Sequence, residues 1–324
     1  MKKLTLLIIT LVLLSACRYK DLCYDHNHDT DHNVSLKLSL DIDLDVDLEV
    51  SVEAHTKIDT PSLMKINFYE PVKGNLSETE YTGPTGGPIH VNPGQYRMVI
   101  YSFDTEWTDI RGESNINTLE AFTSDVTDLK WKQFANFAKG INREQAAPII
   151  YTPDHVLVTQ KDVEIPAYST EGEYVITITA TAATILETYG FEVKNIEGIE
   201  YIASVDAFIT NQARSHYFGR GERSSDSATI YFPMEVDKEK KTLKTTFNTF
   251  GKLPGESRSL LHILLIDSDG NEFTLTTDIT DQFTHTDHEI IITDSIVIPK
   301  PEGGGGIDPS VDDWENHDED VNIG

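Results

Sequence analysis

In the stretch SLDIDLDVDLEVSVE (residues 39–53), every second residue from Leu40 to Val52 is aliphatic, and acids fill most of the gaps: Asp41, Asp43, Asp45, Asp47, Glu49 and Glu53. A period of two is the period of a β-strand, whose successive side chains point to opposite faces. Carried back to Leu36, the pattern gives nine apolar positions. It predicts one strand spanning roughly 60 Å, several times the usual length. Such a strand is expected to bend between sheets or to begin before the sandwich proper. Its carboxylates would lie ~6–7 Å apart along one side. Calcium takes about six to eight oxygens converging at ~2.3–2.6 Å, usually from a turned loop. The acids therefore read as a solvated face that also guards a sheet edge.

The same alternation recurs through the chain, in LMKINFYE (63–70), GQYRMVIYSF (94–103), EYVITITATAATI (173–185), IEYIASVDAFIT (199–210) and ATIYFPMEV (228–236). It closes in KTTFNTFG, SLLHILLIDSDGNEFTLTTDI and HEIIITDSIVIP, with turn-rich breaks such as GPTGGP (83–88) and VNPG (91–94) between strands. Only residues 125–141 read as helix, on the spacing of Val126, Leu129, Phe134 and Phe137, with Asp125 as N-cap. The expected fold is all-β: two β-sandwiches in tandem, residues 34–158 and 159–300, with one short helical insert.

The ends of the chain are of another kind. Lys2 and Lys3 precede an apolar run of eleven residues (4–14), too short to span a bilayer and suited to a signal peptide occupying residues 1–16. The run ends in LSAC (14–17), which resembles the lipobox of bacterial lipoproteins. That resemblance implies cleavage before Cys17 and lipid on its sulfur and amino group; the alternative is an ordinary secretory peptide. No other apolar run is long enough to cross a membrane, so the expected state is anchored rather than spanning. Residues 17–33 read as a lipidated head and polar spacer. His26, His28 and His32 stand there among acids, as weak metal candidates against a plain hydrated spacer. Cys23 cannot form an internal disulfide once Cys17 is lipidated. Residues 301–324 hold eight acids, no base and four consecutive glycines, the composition of a flexible tail.

A formal charge of −28 opposes binding to phosphate backbones, so no nucleic-acid partner is expected. DSDGNE (267–272) resembles a calcium loop but lacks its closing Glu, and Asp269-Gly270 signals a hairpin turn. GRGERS (219–224) lacks the third glycine and the strand-to-helix setting of a dinucleotide site. No nucleophile elbow, phosphate-cradling loop or zinc pair occurs, so no catalytic residue and no cofactor are assigned. Carboxylate pairs leave no local signature, however.

Several segments together resemble a family of Bacteroidetes lipoproteins of unknown function: CRYKDLCYDHNH, KINFYEP, VNPGQYRMVIYSFDTE with a following RG, AAPIIYTPDHVLV, YVIT…YGFEVKNIEGIEYI, TTFNTFGKLP and GGGGIDPSVDDWE. The long acidic first strand and an insert of about residues 115–145 depart from it. The family is similar to fimbrillin-like subunits and anchors of type V pili. That kinship implies two transthyretin-like (Greek-key) sandwiches, outer-membrane lipidation with possible surface exposure, and a place in or beside a fimbrium. In polymerising relatives a protease cuts after a basic residue beyond the first strand, and a neighbour's strand fills the groove. Here the matching position is Lys57 in AHTKIDTP, which otherwise reads as an exposed loop lysine. The expectation is a non-enzymatic envelope lipoprotein, a structural or adhesive fimbrial component of anchor or accessory type. The alternatives are a lipid-anchored glycan- or protein-binding module and a surface hydrolase.

Overall fold

The computed structural model describes residues 34–41, 58–135, 147–167, 176–253, 255, 258–284, 288–293 and 296–300. Strands dominate them, as the alternation predicts. The first sheet runs, in spatial order, Leu76–Thr82, Met64–Tyr69, Gly94–Ser102, Leu157–Ile165, Ile176–Thr184, Val34–Asp41, Gly86–Ile89. Its two outermost strands are consecutive in sequence, joined through a turn in which the Gly86 N–H donates to the Gly83 carbonyl at 3.0 Å. The sheet thus curls back on itself around a core that includes Leu36, Ile66, Phe68, Met98, Ile100 and Ile178.

A second core lies between a five-stranded and a four-stranded sheet. The five-stranded sheet runs Glu272–Asp278, Leu260–Asp267, Ile202–Ala213, Ser227–Pro233, Ile149–Tyr151; the four-stranded one runs Glu235–Asp237, Thr242–Thr249, Glu187–Val193, Glu289–Ile292. Phe232 and Phe247 stack between them at 4.6 Å with ring planes 6° apart.

A small mixed sheet joins the two bodies. Thr108–Arg111 and Glu120–Thr123 supply one half, Ser215–Tyr217 and Glu222–Arg223 the other, with Ser215 opposite Phe122 across the seam. Glu120, 5% exposed, accepts two hydrogen bonds from Arg111 (2.6 and 3.0 Å) and one from Ser215 Oγ (2.5 Å). Around it Tyr101, Ile116, Leu119, Phe218 and Phe250 form an apolar cluster drawn from both bodies. Gly219 sits so close that a Cβ would stand 2.0 Å from the Ile116 carbonyl oxygen. GRGERS is therefore the turn of this seam, not a ligand loop.

Three expectations are corrected. The boundary at 158/159 falls inside Leu157–Ile165, and that strand with Ile176–Thr184 completes the first sheet, while Ile149–Tyr151 belongs to the second body. Alternation identifies a strand but not its partner, which long-range register decides. The helix begins at Asp128, not at Asp125, and is described to Ala135. The Thr127 carbonyl accepts the first helical bond, from Trp131 N–H, while Asp125 forms a bridge with Ile150. Leu129 is 65% exposed, so only Val126 and Phe134 of the described apolar set face inward, against Phe208 and Tyr231. Residues 136–141 of the expected helix lie outside the described residues. So does the stretch of the opening strand beyond Asp41.

The seam should weaken in acid. Burial, then the charge of Arg223, depresses His216 from 6.5 to about 4, and its Nδ1 has no hydrogen-bond partner among the described residues. The unfolded chain therefore takes up that proton first, and stability falls as pH drops from about 6.5 toward 4. Burial pushes the Glu120 carboxyl up, but the Arg111 and Ser215 hydrogen bonds and the Arg111 charge outweigh it and hold the group below the ordinary value. Its contribution, present above the unfolded carboxyl's pKa, is lost as pH falls through the depressed folded one. Incomplete burial limits the His216 share to about 1–2 kcal/mol. Urea melts at pH 7.5, 5.5 and 4.5 should show the first loss between 7.5 and 5.5, and His216→Gln should abolish that early part.

Candidate functional site

Val34–Asp41 occupies an interior place in the first sheet. Eight residues pair in parallel with Ile176–Thr184, from Val34 opposite Ile176 to Asp41 opposite Ala183. On the other side Val34 to Lys37 pair antiparallel with Ile89 to Gly86, and Leu38 N–H donates to the Thr85 carbonyl at 3.1 Å. The alternation is read out as expected: Val34, Leu36 and Leu38 are buried, whereas Lys37, Ser39 and Asp41 are exposed. Three such aliphatics contribute roughly 5–9 kcal/mol in transfer free energy.

The walls of this slot are narrow. Ala180 and Ala182 face the core from one neighbour, and the other approaches as glycine. Gly86 has φ +85°, and a Cβ there would stand 2.2 Å from the Leu36 carbonyl oxygen. Only a residue without a side chain permits both the left-handed backbone and that approach. Gly86→Ala should therefore cost about 2 kcal/mol. Amide exchange in Val34–Asp41 should accelerate while exchange in Leu260–Asp267 stays unchanged.

Chemically the slot is a place for an extended segment with aliphatic residues at alternate positions. Its own first strand fills it, with Ser39 Oγ 2.9 Å from Thr181 Oγ1 on the outer face. Ile58, where description of the chain resumes, packs half-buried on the same core. Cys17, His26, His28, His32 and Lys57 lie outside the described residues, as do the acids from Asp43 to Glu53.

A second feature escaped sequence reasoning. A cavity of ≈ 280 Å³ is lined by Asp59, Thr60, Pro61, Ser102, Asp104, Thr105, Glu106, Asp154 and His155. Asp104 is held by Ser62 N–H and Oγ (2.9 and 2.8 Å), and Asp154 accepts from the Trp107 N–H. His155 is fixed between Thr184 (2.6 Å) and Thr188 (3.2 Å). These residues are scattered, but YSFDTE and YTPDH, both within segments that carry the family resemblance, supply six of them. Among the described residues no three His, Cys, Asp or Glu side chains converge to hold a metal ion. The DSDGNE turn follows suit: the Asp267 carboxylate is occupied by Asp269 N–H, Asn271 N–H and Asn271 Nδ2, at 2.8–2.9 Å.

The family model described as "Domain of unknown function (DUF5119)" matches residues 16–233. This chain belongs to the DUF5119 family. The match covers the segments quoted from Cys17 through 202, and the family resemblance read in the sequence is thereby met. A Bacteroides ovatus protein described as fimbrium anchoring subunit Fim4B is 24% identical over 294 residues, 80% of this chain and 84% of that one. The crystal structure of a Bacteroides ovatus protein described as an adhesin aligns with a TM-score of 0.59 at 23% identity, covering 89% of this chain and 98% of that one. This DUF5119 chain therefore shares its overall fold with that protein. The fimbrial anchor protein Mfa2 of Porphyromonas gingivalis aligns at TM-score 0.45 and 14% identity over 76% of this chain and 83% of that one, a distance at which no common detail is implied.

Proposed function

We propose that this DUF5119 chain is a structural, non-enzymatic component of a fimbrium, of anchor or accessory type, held at the outer membrane through a lipidated Cys17. The carrying observation is the first strand itself. It is seated inside the sheet with a neighbour on each side, within a chain that resembles an anchoring subunit over four-fifths of its length. An interior strand leaves a lined slot when it departs and a closed sheet when it stays. Retention suits an anchor, and departure at Lys57 suits a polymerising subunit. Pairing with other pilus subunits by strand addition follows from the same slot.

Mass spectrometry of the mature protein from its native membrane tests the reading. The expected result is an acylated N-terminal Cys17 on a chain that co-purifies with fimbrial subunits. A new terminus at Ile58 would reassign it to a polymerising role. A soluble, unacylated chain without fimbrial partners would sink the proposal.

A further inference from the structure

Every sheet edge among the described residues is short or guarded, with one exception. In the first sheet the outermost strands meet at the 83–86 turn, and Asn92 donates from its N–H and Nδ2 to Glu78 across the gap (3.2 and 2.6 Å). Ile149–Tyr151 is three residues long and bonded on its far side, Val126 N–H to the Ile149 carbonyl (2.8 Å) and Tyr151 N–H to the Ser124 carbonyl (3.3 Å). Glu289–Ile292 has its Ile291 N–H capped by Gln282 Oε1 at 2.9 Å. Glu235–Asp237 spans three residues and Glu222–Arg223 two. Thr108–Arg111, of four residues, is no longer than these demand.

The strand Glu272–Asp278 (EFTLTTD) is different. It stands last in its sheet, paired on one side with Leu260–Asp267 in an unbroken register from Leu260 opposite Asp278 to Ile266 opposite Glu272. No described strand lies on its other side. It has no bulge, proline, glycine or lysine, the devices by which sheets usually blunt an edge. Its residues are threonine, phenylalanine and leucine between terminal acids, a composition suited to pairing. Phe273 and Leu275 pack on the second core and hold it flat, and Thr276 Oγ1 is fixed 2.8 Å from His262 Nδ1.

We infer that the backbone edge from Phe273 to Asp278 is a second strand-docking surface, separate from the slot of the first sheet, for an extended segment of another protein with basic residues at its ends. Charge selects that occupant. Acids stand at both ends of the edge, Glu272 and Asp278, with Asp281 just beyond. Two copies pairing antiparallel about Leu275 would set Glu272 opposite Asp278 twice, and like charges directly opposite are destabilising. The formal charge of −28 adds to that opposition between copies. An incoming strand with Lys or Arg near its ends meets carboxylates there, and its threonine- or valine-rich middle continues the pleat. The inference stands whether or not the first-sheet strand exchanges.

The test uses the full chain and two synthetic octapeptides, acetyl-KTVTVTVK-amide and acetyl-ETVTVTVE-amide, with hydrogen exchange as the readout. The basic peptide should slow amide exchange in 273–278 about tenfold or more, leaving the first sheet unaffected. The acidic peptide should bind about tenfold more weakly, and Asp278→Lys should narrow or reverse that preference. Retained protection in Leu260–Asp267 controls for folding of the variant. Equal binding of both peptides, or of neither, overturns the inference. Amides in 273–278 already protected in the isolated monomer would show that the chain covers its own edge. A concentration-dependent dimer protecting the same amides would assign the edge to a second copy. Either of those two results also overturns the inference, and neither bears on Cys17 or on fimbrial co-purification.

Discussion

Leu36→Asp should unfold the first sandwich and leave the second intact. Leu36 is 2% exposed, faces Ile66, Phe68 and Met98 in the core, and lies between two strands whose small side chains leave no route to water. An unpaired carboxylate there loses the apolar transfer energy and meets a low-dielectric site, about 4–5 kcal/mol together. Because the two bodies have separate cores, melting should split into two transitions, and only the lower-temperature one should be new. Lys37→Asp, one residue along on the wet face, should shift melting by no more than about 0.5 kcal/mol. The contrast is the test of register: comparable losses at both positions would mean that the strand does not sit as described. A peptide of sequence VSLKLSLD added to the Leu36→Asp chain should restore part of the lost transition if the slot accepts a strand in trans.

The second large effect is expected at the seam. Glu120→Ala removes the acceptor shared by Arg111 and Ser215 and leaves the buried Ser215 hydroxyl without it. Breaking a fully buried pair costs about 3–5 kcal/mol, but the Arg111 side chain is 55% exposed and solvent screens it. The expected cost is about 2 kcal/mol, of which Ser215→Ala alone should show roughly half. The loss should be read as uncoupling as well as destabilisation. In Glu120→Ala the two cores should melt at temperatures further apart than in the parent chain, measured by calorimetry. A single transition moved as a block would mean that the apolar cluster around Phe218, not the carboxylate, welds the bodies.

The parts legible in the sequence are those that depend on a residue's immediate neighbours. Leu36 and Leu38 declare their inward face by alternation, and Asp269-Gly270 declares its hairpin by turn chemistry. What pairs with what is not local. The partner of Val34–Asp41 lies 142 residues further on, in parallel, and nothing in either strand encodes that choice. Alternation also fails where both faces of a strand are covered. In Met64–Tyr69 the polar Asn67 is fully buried because its Nδ2 donates to the hydroxyls of Tyr69 (3.0 Å) and Tyr101 (2.9 Å) and its Oδ1 accepts from Thr79 (2.9 Å). The RG of the family resemblance proves to be structural. Arg111 holds Glu120, and Gly112, with φ +72°, passes so near Thr118 that a Cβ would stand 1.9 Å from its carbonyl oxygen. The cavity acids come from three separated stretches, which no single window of sequence could join.

The parallel pairing of Val34–Asp41 with Ile176–Thr184 fixes how the molecule answers tension. A pull arriving through the residues before Val34 and resisted through those after Thr184 drags the two strands lengthwise past each other, since one is held by its beginning and the other by its end. Every rung of that ladder is strained at once, where an antiparallel pair tugged from one end would part rung by rung. Resistance to rupture would then scale with the length of the overlap, so that each residue added to the match would raise the force at which the strand slips free.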